Sequence, residues 1–416
     1  MPTQTATQSP LGERRYDLDW VRIGAFMLLI LYHVGMYYVT WDWHVKSPVA
    51  SRAIEPLMML SSPWRLSLLF LVSGVATAYL LERKGTKGFF GQRSLRLLLP
   101  LIFGMAVIVP PQSYLEVVEK IGYPGSYGEF YGLYLTDYHG FCKGADCLRL
   151  PTWNHLWFVA YLWVYTLVLY VGVRCVPRFI PGLRRFAEWA FGGSGALLWP
   201  IVYLVVIQLT LARRFPANHA LVGDWYNHAL YGAVFVLGFA LAGTRAPWVA
   251  MERARWHALG GAILGWAFIC AGMGIYASSG KFDPMLHQFG MAVYGSVQWL
   301  AIVAILGFAR RHFNHDGVAR RYLTTAIFPV YILHQSIIVV CAHALKPAHL
   351  QPVVEGLMLV LVTAAGCFLG YEAIRRVGLL RPLFGLSVSD KSAADAPARS
   401  RKLGVAASLA VPQDVN

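Results

Sequence analysis

Charge is scarce in this chain. Only 14% of its 416 residues are Asp, Glu, Lys or Arg, against 57% hydrophobic. Soluble domains carry about a quarter of their residues as charges, so an ordinary soluble globule is excluded. Acids are scarcer than bases, 21 against 36, which leaves a formal net charge of +15. Cysteine is also rare, with six in all. Cys175, Cys270, Cys341 and Cys367 lie in or beside apolar runs and read as small core residues. There is no Walker loop, and no Rossmann fingerprint in the right context, so ATP and NAD chemistry have no support. Neither a short-period repeat nor a second soluble domain is visible.

What the chain has in quantity is long apolar runs. Ten read as membrane spans: 20–40, 64–82, 95–111, 154–174, 196–212, 226–243, 257–277, 286–309, 322–344 and 353–374. The fold class is an all-α polytopic helix bundle in a lipid bilayer. The first nineteen residues are polar, and the run after them is too long for a signal-peptide core, so it reads as a retained helix. With the N-terminus in the cytoplasm, 25 of the 36 Lys and Arg residues fall on that side or at the adjoining span edges. The positive-inside rule thus accounts for a net charge that would otherwise suggest nucleic acid. The domains read as a cytoplasmic segment 1–19, a membrane domain 20–376 and a cytoplasmic, disordered tail 377–416 rich in Ala and Ser. The longest connection, about 112–153, lies outside. Its Tyr, Trp and acids suit a sugar surface or, at least as well, an interfacial belt.

One stretch stands out, Tyr16 to Lys46. Its apolar run holds Arg22 and His33, eleven positions apart. At 100° per residue both share a helix face, about 16 Å apart along the axis. Ionisable groups inside a membrane are expensive and usually functional. A cation at the mouth and an imidazole deep within suit a site that takes an anion from one side and moves a proton further in. The bland alternative for His33 is a histidine bonded to a neighbouring helix. Asp17 and Asp19 read as acids on the helix dipole, with orientation of Arg22 as the lesser reading.

Arg93 and Arg96, in QRSLRLLLP, share a face at the start of the third span. They read either as a bidentate phosphate clamp or as positive-inside anchors. Arg65 opens the second span and either snorkels to the interface or faces the site. His155 opens the fourth span in NHLWFVAYLW, with Trp157 and its neighbours as belt residues. His334, in FPVYILHQS, is the second deep histidine, and Pro329 should break that helix one turn earlier. His44 sits just past the first span, where an acceptor arriving from outside would meet it. Cys142 and Cys147 flank KGAD and are candidates for a small disulfide if that compartment is oxidising. His139 nearby does not complete any standard zinc spacing, so no metal site is assigned.

In order and spacing these motifs resemble the membrane acyltransferase family 3, bacterial inner-membrane O-acyltransferases that modify glycans. The carriers are R-x10-H at Arg22 and His33, R-x-x-R at Arg93 and Arg96, HLWF from His155 and YILH ending at His334. The likeness runs from about Tyr16 to Glu372. WDWHVKSP after the first span and FLVSG ending at Gly74 look most like members that succinylate periplasmic glucans. The resemblance implies His33 as general base, and Arg22, Arg93 and Arg96 as holders of a cytoplasmic acyl-CoA. The acyl group, succinyl or acetyl, would pass to a hydroxyl of a periplasmic or cell-envelope glycan. Acyl-CoA is the donor substrate, and no bound cofactor or nucleic acid is implied. Both termini would lie in the cytoplasm. A secondary transporter for a small anion is the rival reading, since buried Arg and His and a proline-broken span also suit one. Transporters often show two related halves, which are not seen here.

Overall fold

The computed structural model describes residues 15–387, apart from Ala145, Pro177 and Phe282. It is an all-α bundle. The strands among the described residues are one antiparallel pair, β1 (Cys142–Lys143) and β2 (Asp146–Cys147). The helices that position the site are α1 (Tyr16–Tyr38), α2 (Arg65–Phe103), α3 (Pro110–Ile121), α4 (Tyr127–Leu135) and α5 (Trp157–Cys175). Then come α6 (Phe179–Ala190), α7 (Gly195–Thr210), α8 (Ala233–Leu241), α9 (Ala246–Ser279) and α10 (Pro284–His312). The series closes with α11 (Val318–Leu345), α12 (Pro352–Arg376) and α13 (Leu380–Leu383).

Eight helical stretches are long and apolar enough to cross a bilayer, and a ninth is the pair α6 and α7, bent by 102°, if taken as one. The protein is therefore a multi-pass membrane protein. Two of the ten expected spans fall short for local reasons. Helix α7 has only 16 residues, below the roughly 20 a straight span needs. The run near 226–243 is interrupted by a π turn at His228–Gly232, which leaves α8 with nine residues. Helix α8 instead packs backbone to backbone on α2. A Cβ on Gly74 would lie 2.0 Å from the Phe235 carbonyl oxygen, and one on Gly238 would lie 2.0 Å from that of Leu71. Two glycines at the crossing allow this approach, as small residues commonly do between membrane helices.

The connection between the second and third spans, expected over 83–94, is present but narrower, a break around Gly85. Two helices, each long and apolar enough to be its own span, meet in α2 at this sharp non-helical break (φ 65°, ψ 170°). Phe89 is fully buried and Phe90 stacks on Tyr170 at 4.8 Å, so the segment after the break is drawn into the bundle as helix. Pro329 does not break α11, which is continuous from Val318 to Leu345.

Helices α1 and α11 run parallel and in register. Arg320 donates to Asp19 at 2.5 Å, Arg22 to the Thr324 carbonyl at 3.4 Å, and His33 meets His334 at 2.8 Å, with sequence offsets of 301, 302 and 301. A constant offset of this kind brings matching turns of the two helices together. Arg320 also donates to Asp316 at 2.7 Å and is almost fully buried. Asp19 therefore holds two helices together as well as sitting on the α1 dipole.

The long connection has a core of its own. Val117, Phe130, Tyr134, Phe141 and Leu150 are buried together. A capping box at Ser126 and Glu129 starts α4. Phe130, Tyr134 and Phe141 are thus core residues, while Tyr127 and Tyr138 remain exposed. Two further expectations are corrected here. Trp157 is 9% exposed and packs on Tyr161 and His219, inside the bundle and away from an interface. Of the four free cysteines only Cys367 is buried, and Cys175 is exposed. The segment 377–387 is ordered, and Phe384 contacts Phe103 at 5.4 Å. The rest of the expected disordered tail, and residues 1–14, lie outside the described residues.

Candidate active site

The register of α1 and α11 sets the geometry. Within α11 the ring of His334 folds back so that Nδ1–H donates to the Tyr331 carbonyl oxygen at 2.6 Å. A carbonyl only accepts, so the neutral His334 ring presents its Nε2 lone pair. That lone pair takes Nδ1–H of His33 at 2.8 Å. Neutral His33 is therefore left with a lone pair on Nε2, the condition for a general base. His334 is fully buried, whereas His33 is half-buried and stacks on Trp43 at 6.4 Å. Of this pair, His33 is the one a ligand can reach.

His155 is 6% exposed and its Nε2–H donates to the Ile332 carbonyl oxygen at 3.0 Å. Its ring meets that of His334 edge-on at 5.2 Å. Consecutive carbonyls of α11 thus orient two histidines. His155 belongs to the interior, beside His334.

Two glutamines link this pair to His44. The Gln335 amide donates to His44 Nε2 at 2.9 Å and to Gln112 Oε1 at 3.0 Å. Gln112 in turn donates to Ser336 at 2.6 Å and to His155 Nδ1 at 3.4 Å. With Nε2 accepting, His44 carries its proton on Nδ1 and donates to Glu116 at 2.5 Å. Glu116, on α3 outside the spans, is mostly buried, which raises a carboxyl. The neighbouring His44 and Lys120 overcome that burial and hold its pKa down to about 2. Glu116, Gln112 and Gln335 were not singled out by sequence. Their one signal is Gln335 directly after His334.

Arg65 is 4% exposed. Its guanidinium carbon lies 3.6 Å over the Tyr32 ring, and Nη1 donates to the Ser61 hydroxyl at 3.3 Å. It faces the interior and does not snorkel.

The other basic groups gather two to three turns away, toward the N-terminal end of α1. Arg22 is about a quarter exposed and 4.0 Å from Asp19. Arg93 donates to Thr77 at 3.3 Å and lies within electrostatic reach of both Arg96 and Arg22. Arg93 is half-buried and Arg96 exposed. The structure therefore brings Arg22, Arg93 and Arg96 to one region and His33, His334, His155, His44 and Arg65 to another, about 16 Å along α1. Cys142 and Cys147 are joined by a disulfide across the β1–β2 pair.

A family model described as an acyltransferase domain matches residues 15–372. Curated relatives include glucans biosynthesis protein C of Escherichia coli O139:H28 (strain E24377A / ETEC), 21% identical over 393 residues, covering 93% of this chain and 99% of the relative. The proteins of the same name from Escherichia coli strains K12 / DH10B and K12 match with the same identity and coverage. No solved structure matches.

Proposed function

We propose, for a chain that belongs to the membrane acyltransferase family 3 and is thereby a membrane acyltransferase, that it moves an acyl group from cytoplasmic acyl-CoA to a hydroxyl of a periplasmic or cell-envelope glycan. His33 is the general base. The acyl group is succinyl or acetyl, and the glycan reading is supported by the glucan in the name of the relatives. The protein sits in a bacterial inner membrane with both termini in the cytoplasm, an orientation supported by the basic connections.

The observation that carries this reading is the hydrogen-bond chain from the Tyr331 carbonyl through His334 to His33. It supports a neutral His33 with its Nε2 lone pair free for a hydroxyl proton. His334 positions the ring, as the carboxylate does in a Ser-His-Asp triad, but without a negative charge. At the cytoplasmic end, Arg22, Arg93 and Arg96 meet the phosphates of CoA, whose polyanionic head does not enter hydrocarbon. The thioester reaches inward along α1. The acceptor hydroxyl comes from the opposite side, past His44 and Gln335. Membership of an acyltransferase family favours this chemistry over a secondary transporter.

The test is mass spectrometry of envelope glycans from a deletion strain complemented with wild type or His33→Ala. Wild type should restore a defined acyl mass increment. His33→Ala, at equal membrane abundance, should lower it by roughly 10²–10⁴-fold in rate, beyond detection. An unchanged increment with His33→Ala removes His33 as the base.

A further inference from the structure

Arg65 is a buried cation without a counter-ion. It is 4% exposed, and no acid among the described residues pairs with it. The Ser61 hydroxyl and the face of Tyr32 meet one side of the guanidinium, while its Nε is buried with no hydrogen-bond partner. Burying a cation costs several kcal/mol per ion unless charge or hydrogen bonds answer it. Among the described residues the other buried arginine, Arg320, is answered by two carboxylates at 2.5 and 2.7 Å. Arg65 instead stays electron-poor. It also sits at the depth of the proposed base. Its stacking partner Tyr32 immediately precedes His33, and the two rings meet edge-on at 6.0 Å.

Given the acyl-transfer reading, on which this assignment rests, we propose that Arg65 is a catalytic residue that binds the oxyanion formed at the acyl carbonyl. In that step the acceptor oxygen bonds to the thioester carbon and its proton passes to His33 Nε2. The carbonyl π pair moves onto oxygen, where the guanidinium of Arg65 meets it. On collapse the C–S bond breaks, and the CoA thiolate leaves with the proton from His33. The charge that lacks a partner in the resting protein acquires one only in the transition state, which is how preorganised donors accelerate acyl transfer.

The experiment compares wild type, Arg65→Gln and Arg65→Lys, purified in detergent, with acetyl-CoA and succinyl-CoA as donors and a glucan acceptor. Thermal midpoint and elution profile verify folding. Arg65→Gln should lose roughly 10²–10³-fold in kcat with both donors at nearly unchanged KM. Arg65→Lys, which keeps the charge, should regain part of that loss. A rise in KM confined to succinyl-CoA overturns the proposal and makes Arg65 a site for the donor's own carboxylate. Full activity of folded Arg65→Gln overturns it too, while leaving His33 chemistry intact. Wild type that transfers neither acyl group removes acyl-CoA as donor and the role of Arg65 with it.

Discussion

The two polar regions of this bundle are built on opposite terms. Near the N-terminal end of α1, charge is plentiful, partly exposed and in part answered by acids. Arg15 pairs with Asp17 at 2.6 Å, and Asp19 lies 2.5 Å from Arg320 and 4.0 Å from Arg22. Near its C-terminal end the groups are buried or half-buried, His33, His334 and His155 have no acid partner among the described residues, and their order comes from hydrogen bonds to carbonyls, amides and one another. Exposed pairs contribute little to stability and serve attraction and register. Buried neutral networks are costly unless every member is satisfied, and when satisfied they fix one geometry. The first region suits capture of a large anion and the second suits a proton transfer, so mutations in the two should fail differently.

After removal of His33 or Arg65, the largest effect is expected from His334→Ala. It leaves the His33 Nδ1–H without its acceptor and frees the ring to rotate. A misplacement of about 1 Å costs roughly 10²-fold in kcat, with KM for the donor unchanged. His334→Gln, which still offers an acceptor, should recover part of the loss. Initial-rate kinetics in detergent would decide it, and a rise in KM with kcat intact would break the division between the regions.

A smaller effect should follow at the basic end. Arg93→Ala with Arg96→Ala removes two charged donors, each contributing about 1.5–3 kcal/mol in a good contact and less where exposed. We expect KM for acyl-CoA to rise at least tenfold, with kcat nearly constant and the difference shrinking in high salt. Loss of kcat alone would show that these arginines serve the chemistry.

The smallest effect on rate concerns Glu116, whose contribution is to stability. Its folded pKa, about 2, lies below the ordinary 4.5. A depressed carboxylate contributes stability that is present above about pH 4.5 and lost as pH falls through about 2. The amount is on the order of 3 kcal/mol. Thermal midpoints between pH 6 and pH 2.5 should fall for wild type and stay flatter for Glu116→Gln. Parallel curves would show that His44 and Lys120 do not hold this charge.

The sequence showed each element's character better than its partners. Helical periodicity put Arg22 and His33 on one face, because that follows from 3.6 residues per turn alone. His33 and His334 were each visible as deep histidines, but their bond joins residues 301 apart and depends on the register of two helices. The Glu116–His44 pair was hidden for the same reason, with one partner in an outer connection. The break between the second and third spans falls at Gly85 and is shorter than the Lys, Arg and Gly of 83–94 suggest, because Phe89 and Phe90 already pack as helix. In 112–153, composition did not separate the core aromatics Phe130, Tyr134 and Phe141 from the exposed Tyr127 and Tyr138, because burial depends on how the connection folds on itself.

The most direct test of the central account uses proteoliposomes with labelled acyl-CoA on the face bearing the N-terminal end of α1 and glucan on the other. Wild type should transfer label across the bilayer to the glucan, and His33→Gln should not, while both bind acyl-CoA with the same Kd. Transfer at the wild-type rate by His33→Gln, or transfer only when donor and acceptor share one face, would contradict it.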